Sequence, residues 1–290
     1  MSSSSSGPAA EPVTAPPVTA PPAASEPVER NPWALLPSLV VASGAVLMFG
    51  MHQDLVGYLL LAAGVAAGLL VGRQLAGDLL LIAIGLGIVG SISVEANLDY
   101  LNMLLFGTVL TLSVLVPYLI DRYVYRHHTI RFPRRRGKPW TRLEKAWLVI
   151  AVLLAWLILP TYFIRSGAYQ NWPPIAAPDE IARLFVGVNV VGIWDELFFI
   201  CTVFTLLRRH LPDWQAIPVQ AIIFVSFLWE LGYREWGPFL TIPFTMVQAY
   251  VFTKTRSLPY VVTIHLLFDA IVFLVLVHAH HRDWLQIFLY

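Results

Sequence analysis

The chain has 290 residues, 57% of them hydrophobic and 13% charged, with a net charge of +1 and a mean hydropathy of +0.67. Charged residues at about half the usual share cannot coat a globule of this size, which excludes a soluble enzyme. The near-zero charge argues against nucleic acid as the main partner. The single cysteine, Cys201, rules out an internal disulfide framework and a cysteine-based zinc site. What remains is an all-α polytopic membrane protein.

Residues 1–31 differ in kind from the rest: a serine run, Ser2 to Ser6, leads into two tandem VTAPP copies between Val13 and Pro22. Such sequence cannot bury enough apolar surface to offset its ordering entropy, which predicts a disordered, partly polyproline-II tail. It also lacks the basic start and apolar stretch of a signal peptide. From Trp33 onward, apolar stretches long enough to cross a bilayer predict nine helices, with eight as the alternative. Their spans are 33–50, 54–72, 79–96, 100–120, 146–164, 182–207, 214–231, 237–253 and 258–279. The resulting division is a tail (1–31), a four-helix membrane block (32–120), a basic cytoplasmic loop (121–145) and a C-terminal membrane domain (146–290).

Positive charge sets the expected orientation. Arg30, Arg73, nine basic residues from Arg122 to Lys145, Arg208 with Arg209, and Lys254 with Arg256 fall on one face, 15 of the 19 in all. Only Arg165, Arg183, Arg234 and Arg282 fall toward the other. The asymmetry predicts a cytoplasmic N-terminus, an external C-terminus and residence in a bacterial inner membrane. The 121–145 connection, whose first role is to fix topology, is also expected to attract anionic lipid headgroups. Trp33, Trp140, Trp172, Trp214, Trp236 and Trp284 fall near predicted helix ends, as interfacial anchors do. Gly85, Gly87 and Gly90 are expected to permit close helix packing.

Ionisable groups inside hydrocarbon cost about 2.5–3.5 kcal/mol each on insertion scales, so their positions carry information. The first five predicted helices hold none in their interiors, with Asp78, Glu95 and Asp99 at helix ends. The exceptions are Asp195 and Glu196 in the sixth helix, Glu230 near the end of the seventh, and His265 with Asp269 in the ninth. At about 1.5 Å rise per residue, Asp195 lies roughly 20 Å and Asp269 roughly 16 Å from the cytoplasmic side. The four-residue spacing puts His265 and Asp269 on one helical face. These groups can therefore meet at one level, where a carboxylate beside an imidazole can share a proton and activate water. Asp195 and Glu196 diverge by about 100°, so one is expected to act as base and the other as anchor.

The C-terminal half resembles the CPBP family of intramembrane endopeptidases related to the CAAX prenyl protease. Its members carry EExxxR on one helix, FxxxH on the next, and HxxxN or HxxxD on a later one. Here the first motif reads Asp195-Glu196-Leu-Phe-Phe199-Ile200, and the third lies within TKTRSLPYVVTIHLLFDA, Thr253 to Ala270. The chain departs from the pattern at Asp195, which stands for glutamate, at Ile200, which stands for arginine, and at Leu228, which follows Phe224 where histidine is expected. The resemblance implies that Asp195 or Glu196 takes a proton from water attacking a peptide bond, and that His265 and Asp269 bind the carbonyl oxygen or orient the water. Glu230, Phe199, Phe224 and Trp229 are candidate cavity residues.

The expected activity is therefore cleavage of a membrane-anchored protein or peptide. Two alternatives are a catalytically inactive scaffold or escort on the same fold, and a proton-coupled carrier. No tightly held metal is expected, because one imidazole with several carboxylates is thin for zinc and no HExxH occurs, although a weakly bound divalent ion stays open. Cys201 reads as a packing residue.

Overall fold

The computed structural model describes residues 30–134, 139–284 and 286–290. The expected tail lies almost wholly outside the described residues, as do residues 135–138 of the basic loop. Among the described residues nine long helices follow in chain order: α1 (Pro32–Gly50), α2 (Asp54–Val71), α3 (Arg73–Val89), α4 (Tyr100–Tyr125), α5 (Arg142–Arg165), α6 (Pro178–His210), α7 (Asp213–Leu231), α8 (Pro238–Thr255) and α9 (Leu258–His280). No strand occurs among the described residues. All nine except α3 and α8 are long and apolar enough to cross a membrane.

Local chemistry sets the helix starts. Asn31 accepts from the Trp33 amide and is followed by Pro32, whose missing N–H costs nothing at a first turn. The α5 start is a capping box: the Glu144 amide donates to Thr141 Oγ1 at 3.2 Å and the Thr141 amide to Glu144 Oε2 at 2.6 Å. Pro178 opens α6, where Glu180 Oε2 accepts from the amides of Ala176 and Ala177 at 2.8 and 3.0 Å. These caps lengthen α5 and α6 beyond the apolar stretches that announce them.

One helix is misplaced by the sequence reading. The third was expected over 79–96, but α3 begins at Arg73 and stops at Val89. Only Gly72, in an extended conformation, separates it from α2. Asp78 consequently lies inside α3 and is buried, instead of marking a helix end. It is tolerated because Arg209 Nη1 donates to its Oδ1 and Oδ2 at 2.9 and 2.7 Å, and His210 Nε2 stands 2.7 Å from Oδ2. The Arg209 guanidinium and the His210 ring, at the far end of α6, thus offset the expense of an acid in an apolar helix.

Helix α1 packs on α2 and α7, α3 on α4, α6 and α5 on α9, and α7 on α8. The centre is aromatic: Phe199 stacks on Phe224 at 4.1 Å between ring centroids, and Trp194 stacks on Phe198 at 5.2 Å. Offset stacks of this kind add about 0.5–1.5 kcal/mol each beyond area burial. Trp194 Nε1 donates to Ser113 Oγ at 3.0 Å, tying α6 to α4. At Gly85 a Cβ would stand 2.4 Å from Phe198 Cε2, so the close approach of α3 to α6 needs the missing side chain. Outward faces carry exposed leucines such as Leu59, Leu104 and Leu153, the surface a hydrocarbon environment favours.

Helix α6 is the element that positions the site. Its 33 residues change pitch immediately after Asp195, where Glu196–Phe204 form wide π-type turns. Thr202 and Thr205 hydroxyls bond carbonyls five residues back, at Leu197 and Ile200. Such stretches are rare and gather at functional positions.

Candidate active site

Asp195, Glu196, His265 and Asp269 come together at the contact of α6 with α9, all buried. His265 Nδ1 donates to Glu196 Oε1 at 2.8 Å. Its Nε2 faces the other two carboxylates, 3.6 Å from Asp195 Oδ2 and 3.8 Å from Asp269 Oδ1, beyond hydrogen-bond reach. One imidazole is therefore bracketed by three acids, and the adjacent acids of α6 address opposite edges of its ring.

A cavity of about 180 Å³ reaches this cluster. Asp195, His265 and Asp269 line it, with apolar walls from α4 (Met103, Phe106, Leu110) and α6 (Leu184, Val188, Val191). Glu196 does not line it. Instead Glu196 Oε1 also accepts from Gln248 Nε2 at 2.8 Å, and that amide donates to the Val261 carbonyl at 3.1 Å. Asp195 Oδ1 and Asp269 Oδ2 accept from no group among the described residues. The two members of the acidic pair differ accordingly: Asp195 faces the cavity and Glu196 is fastened behind the imidazole.

Residues 95–98 line the far part of the cavity and are tied to the C-terminal helices. Arg234 Nη2 bonds Glu95 Oε1 at 2.7 Å, and Arg183 Nη1 donates to the Leu98 carbonyl. Tyr233 lines this cavity and a smaller neighbouring one of about 60 Å³ that shares His265 and Asp269. Burial, reinforced by the negative field of Asp269, pushes the Tyr233 phenol well above its ordinary value, so it stays a neutral donor.

The remaining candidates are dispersed. Phe224 lies beside the cluster, its ring centroid 6.2 Å from that of His265, and Phe199 stacks behind it. Leu228 lines the cavity where the family motif carries histidine. Glu230 does not line it; its Oε1 accepts from the Val94 amide at 3.1 Å, holding the segment between α3 and α4. Trp229 lines a separate groove with Val46, Met51 and Met246.

Sequence reasoning passed over Gly192, Gln248 and Tyr233. Gly192 precedes Asp195 by three residues and so shares its face. A Cβ there would stand 1.9 Å from Asp269 Oδ2 and 3.2 Å from His265 Cδ2. We expect Gly192→Ala to force Asp269 aside and to cost about 1–3 kcal/mol of stability, as overpacked interiors do. Thermal unfolding of the purified variant in detergent checks this, and an unchanged midpoint would show that the contact gives way freely.

Residues 176–271, about a third of the chain, match the sequence model of the Rce1-like family, type II CAAX prenyl endopeptidases. The match contains Asp195, Glu196, His265 and Asp269. No curated protein and no solved structure matches the chain. The seven helices long and apolar enough to cross a membrane make this an integral membrane protein, and its segment 176–271 is similar to that endopeptidase family.

Proposed function

We propose that the chain is an intramembrane endopeptidase that cleaves a peptide bond of a membrane-anchored protein. The observation that carries this reading is the meeting of Asp195, His265 and Asp269 at a cavity with apolar walls, inside the segment that matches the endopeptidase family. Asp195 takes a proton from water, the water oxygen adds to the carbonyl carbon, and the C–N bond breaks as a proton passes to the leaving nitrogen. His265 Nε2 holds the carbonyl oxygen as charge develops, a role worth about 2.7–4 kcal/mol for a well-placed donor, while Asp269 accepts a hydrogen bond from the water and orients it. Glu196 holds the imbedded edge of the ring through Nδ1. The basic asymmetry supports an N-terminus in the cytoplasm and a C-terminus outside.

The test compares protein termini in the host membrane fraction of three strains: wild type, deletion, and Glu196→Ala with His265→Ala at equal abundance. The expected result is a set of termini lost alike from the deletion and the double variant. If the double variant matches wild type while the deletion differs, the chain is a non-catalytic scaffold on a protease-like fold. Leu228 and Ile200, at the positions of the motif histidine and arginine, are what would favour that outcome.

A further inference from the structure

A crevice of about 620 Å³ opens far from the carboxylate cluster, where the start of α1, the α2–α3 turn and the end of α6 meet. Arg30, Asn31, Arg73, Gln74 and His210 supply its polar lining. Asp78, buried behind His210, is already engaged by Arg209 and by His210 Nε2. Arg30 and Arg73 are exposed, so the crevice presents two guanidinium groups that have no carboxylate partner among the described residues. Planar guanidinium forks match the oxygens of a phosphate and bind it through paired hydrogen bonds.

The neighbouring surface decides what kind of phosphate fits. Leu36 on α1 and Leu69 with Leu70 on α2 are strongly exposed within a turn or so of lining residues, and Trp33 is exposed at the same end of the bundle. A free phosphate has no use for that surface, whereas acyl chains below a headgroup do, with an aromatic ring at the interface. We propose that this crevice binds the phosphate of an anionic phospholipid, its chains lying along α1 and α2. The site is separate from the 121–145 loop and does not depend on whether the chain cleaves peptides.

The full chain in detergent is offered phosphatidylglycerol or phosphatidylcholine, and retained lipid is counted by native mass spectrometry. Wild type should retain phosphatidylglycerol in preference. Arg30→Gln with Arg73→Gln should lower that retention at least fivefold and leave phosphatidylcholine unchanged, and the single surface reversal Arg73→Glu should give the same loss. Lys254→Gln with Arg256→Gln, basic residues outside both the crevice and the 121–145 loop, should retain lipid as wild type does. Wild-type retention by the Arg30/Arg73 variants overturns the proposal. So does displacement of the lipid by millimolar inorganic phosphate, which would assign the crevice to a free anion.

Discussion

Asp195→Asn should lower the rate of peptide cleavage by about 10²–10⁴-fold, the range for removal of a general base, without loss of protein from the membrane. The substitution keeps the shape of a buried side chain and removes only its ability to take a proton. Glu196→Gln should be milder, about tenfold. An amide oxygen at that position can still accept from His265 and from Gln248, the two donors that Glu196 Oε1 now serves at 2.8 Å each. What is lost there is the negative charge behind the imidazole. The contrast is measured as single-turnover cleavage of a peptide taken from the substrates that the termini comparison identifies. Equal losses for both variants, or a larger loss at Glu196, would exchange the roles of base and anchor.

The largest expected effect on stability lies elsewhere. Asp78→Ala should destabilise the folded chain by about 3–5 kcal/mol, because it strands the Arg209 guanidinium in a buried position. The Asp78 side chain is only 2% exposed and those of Arg209 and His210 are 11% and 5% exposed, so water cannot replace the lost carboxylate. Asp78→Asn, which keeps one acceptor oxygen, should lose less. Thermal unfolding in detergent, with abundance in the membrane as a second readout, distinguishes these outcomes. An Asp78→Ala variant that melts with wild type would mean that the ion cluster opens to solvent. The cluster joins α3 to the helix that carries Asp195, so the same change should also reduce cleavage indirectly.

The two variants mark how far the sequence alone could be followed. Nine helices and the four converging groups of α6 and α9 were legible because uncharged apolar runs are long and ionisable residues inside them are scarce. The same reasoning fails at α3, where it reads Asp78 as a helix end. Its partners lie more than 130 residues away, and no local pattern announces them. Glu230 is a candidate cavity residue by sequence, yet it serves the Val94 amide, a backbone donor left without a helical partner where α3 has ended. Gln248 carries no charge and so gives no such signal, although a buried amide in an apolar helix also demands partners. Gly192 gives no chemical signal by itself; its meaning appears only when α9 is placed against α6.

The wide-turned stretch of α6 has a further consequence for how the chain can vary. Upstream of it, Gly192 and Asp195 are aimed at α9; downstream, Arg209 and His210 are aimed at α3. Residues 196–204 set the angular offset between these two aims. Removing one residue from that stretch would turn everything beyond it by about 100° relative to the acids. The helix itself would survive and could become more regular, while His265 and Asp78 could no longer both find their partners. From Leu197 to Phe204, length is therefore fixed more tightly than identity: side chains there can be exchanged for others of similar bulk, but not gained or lost.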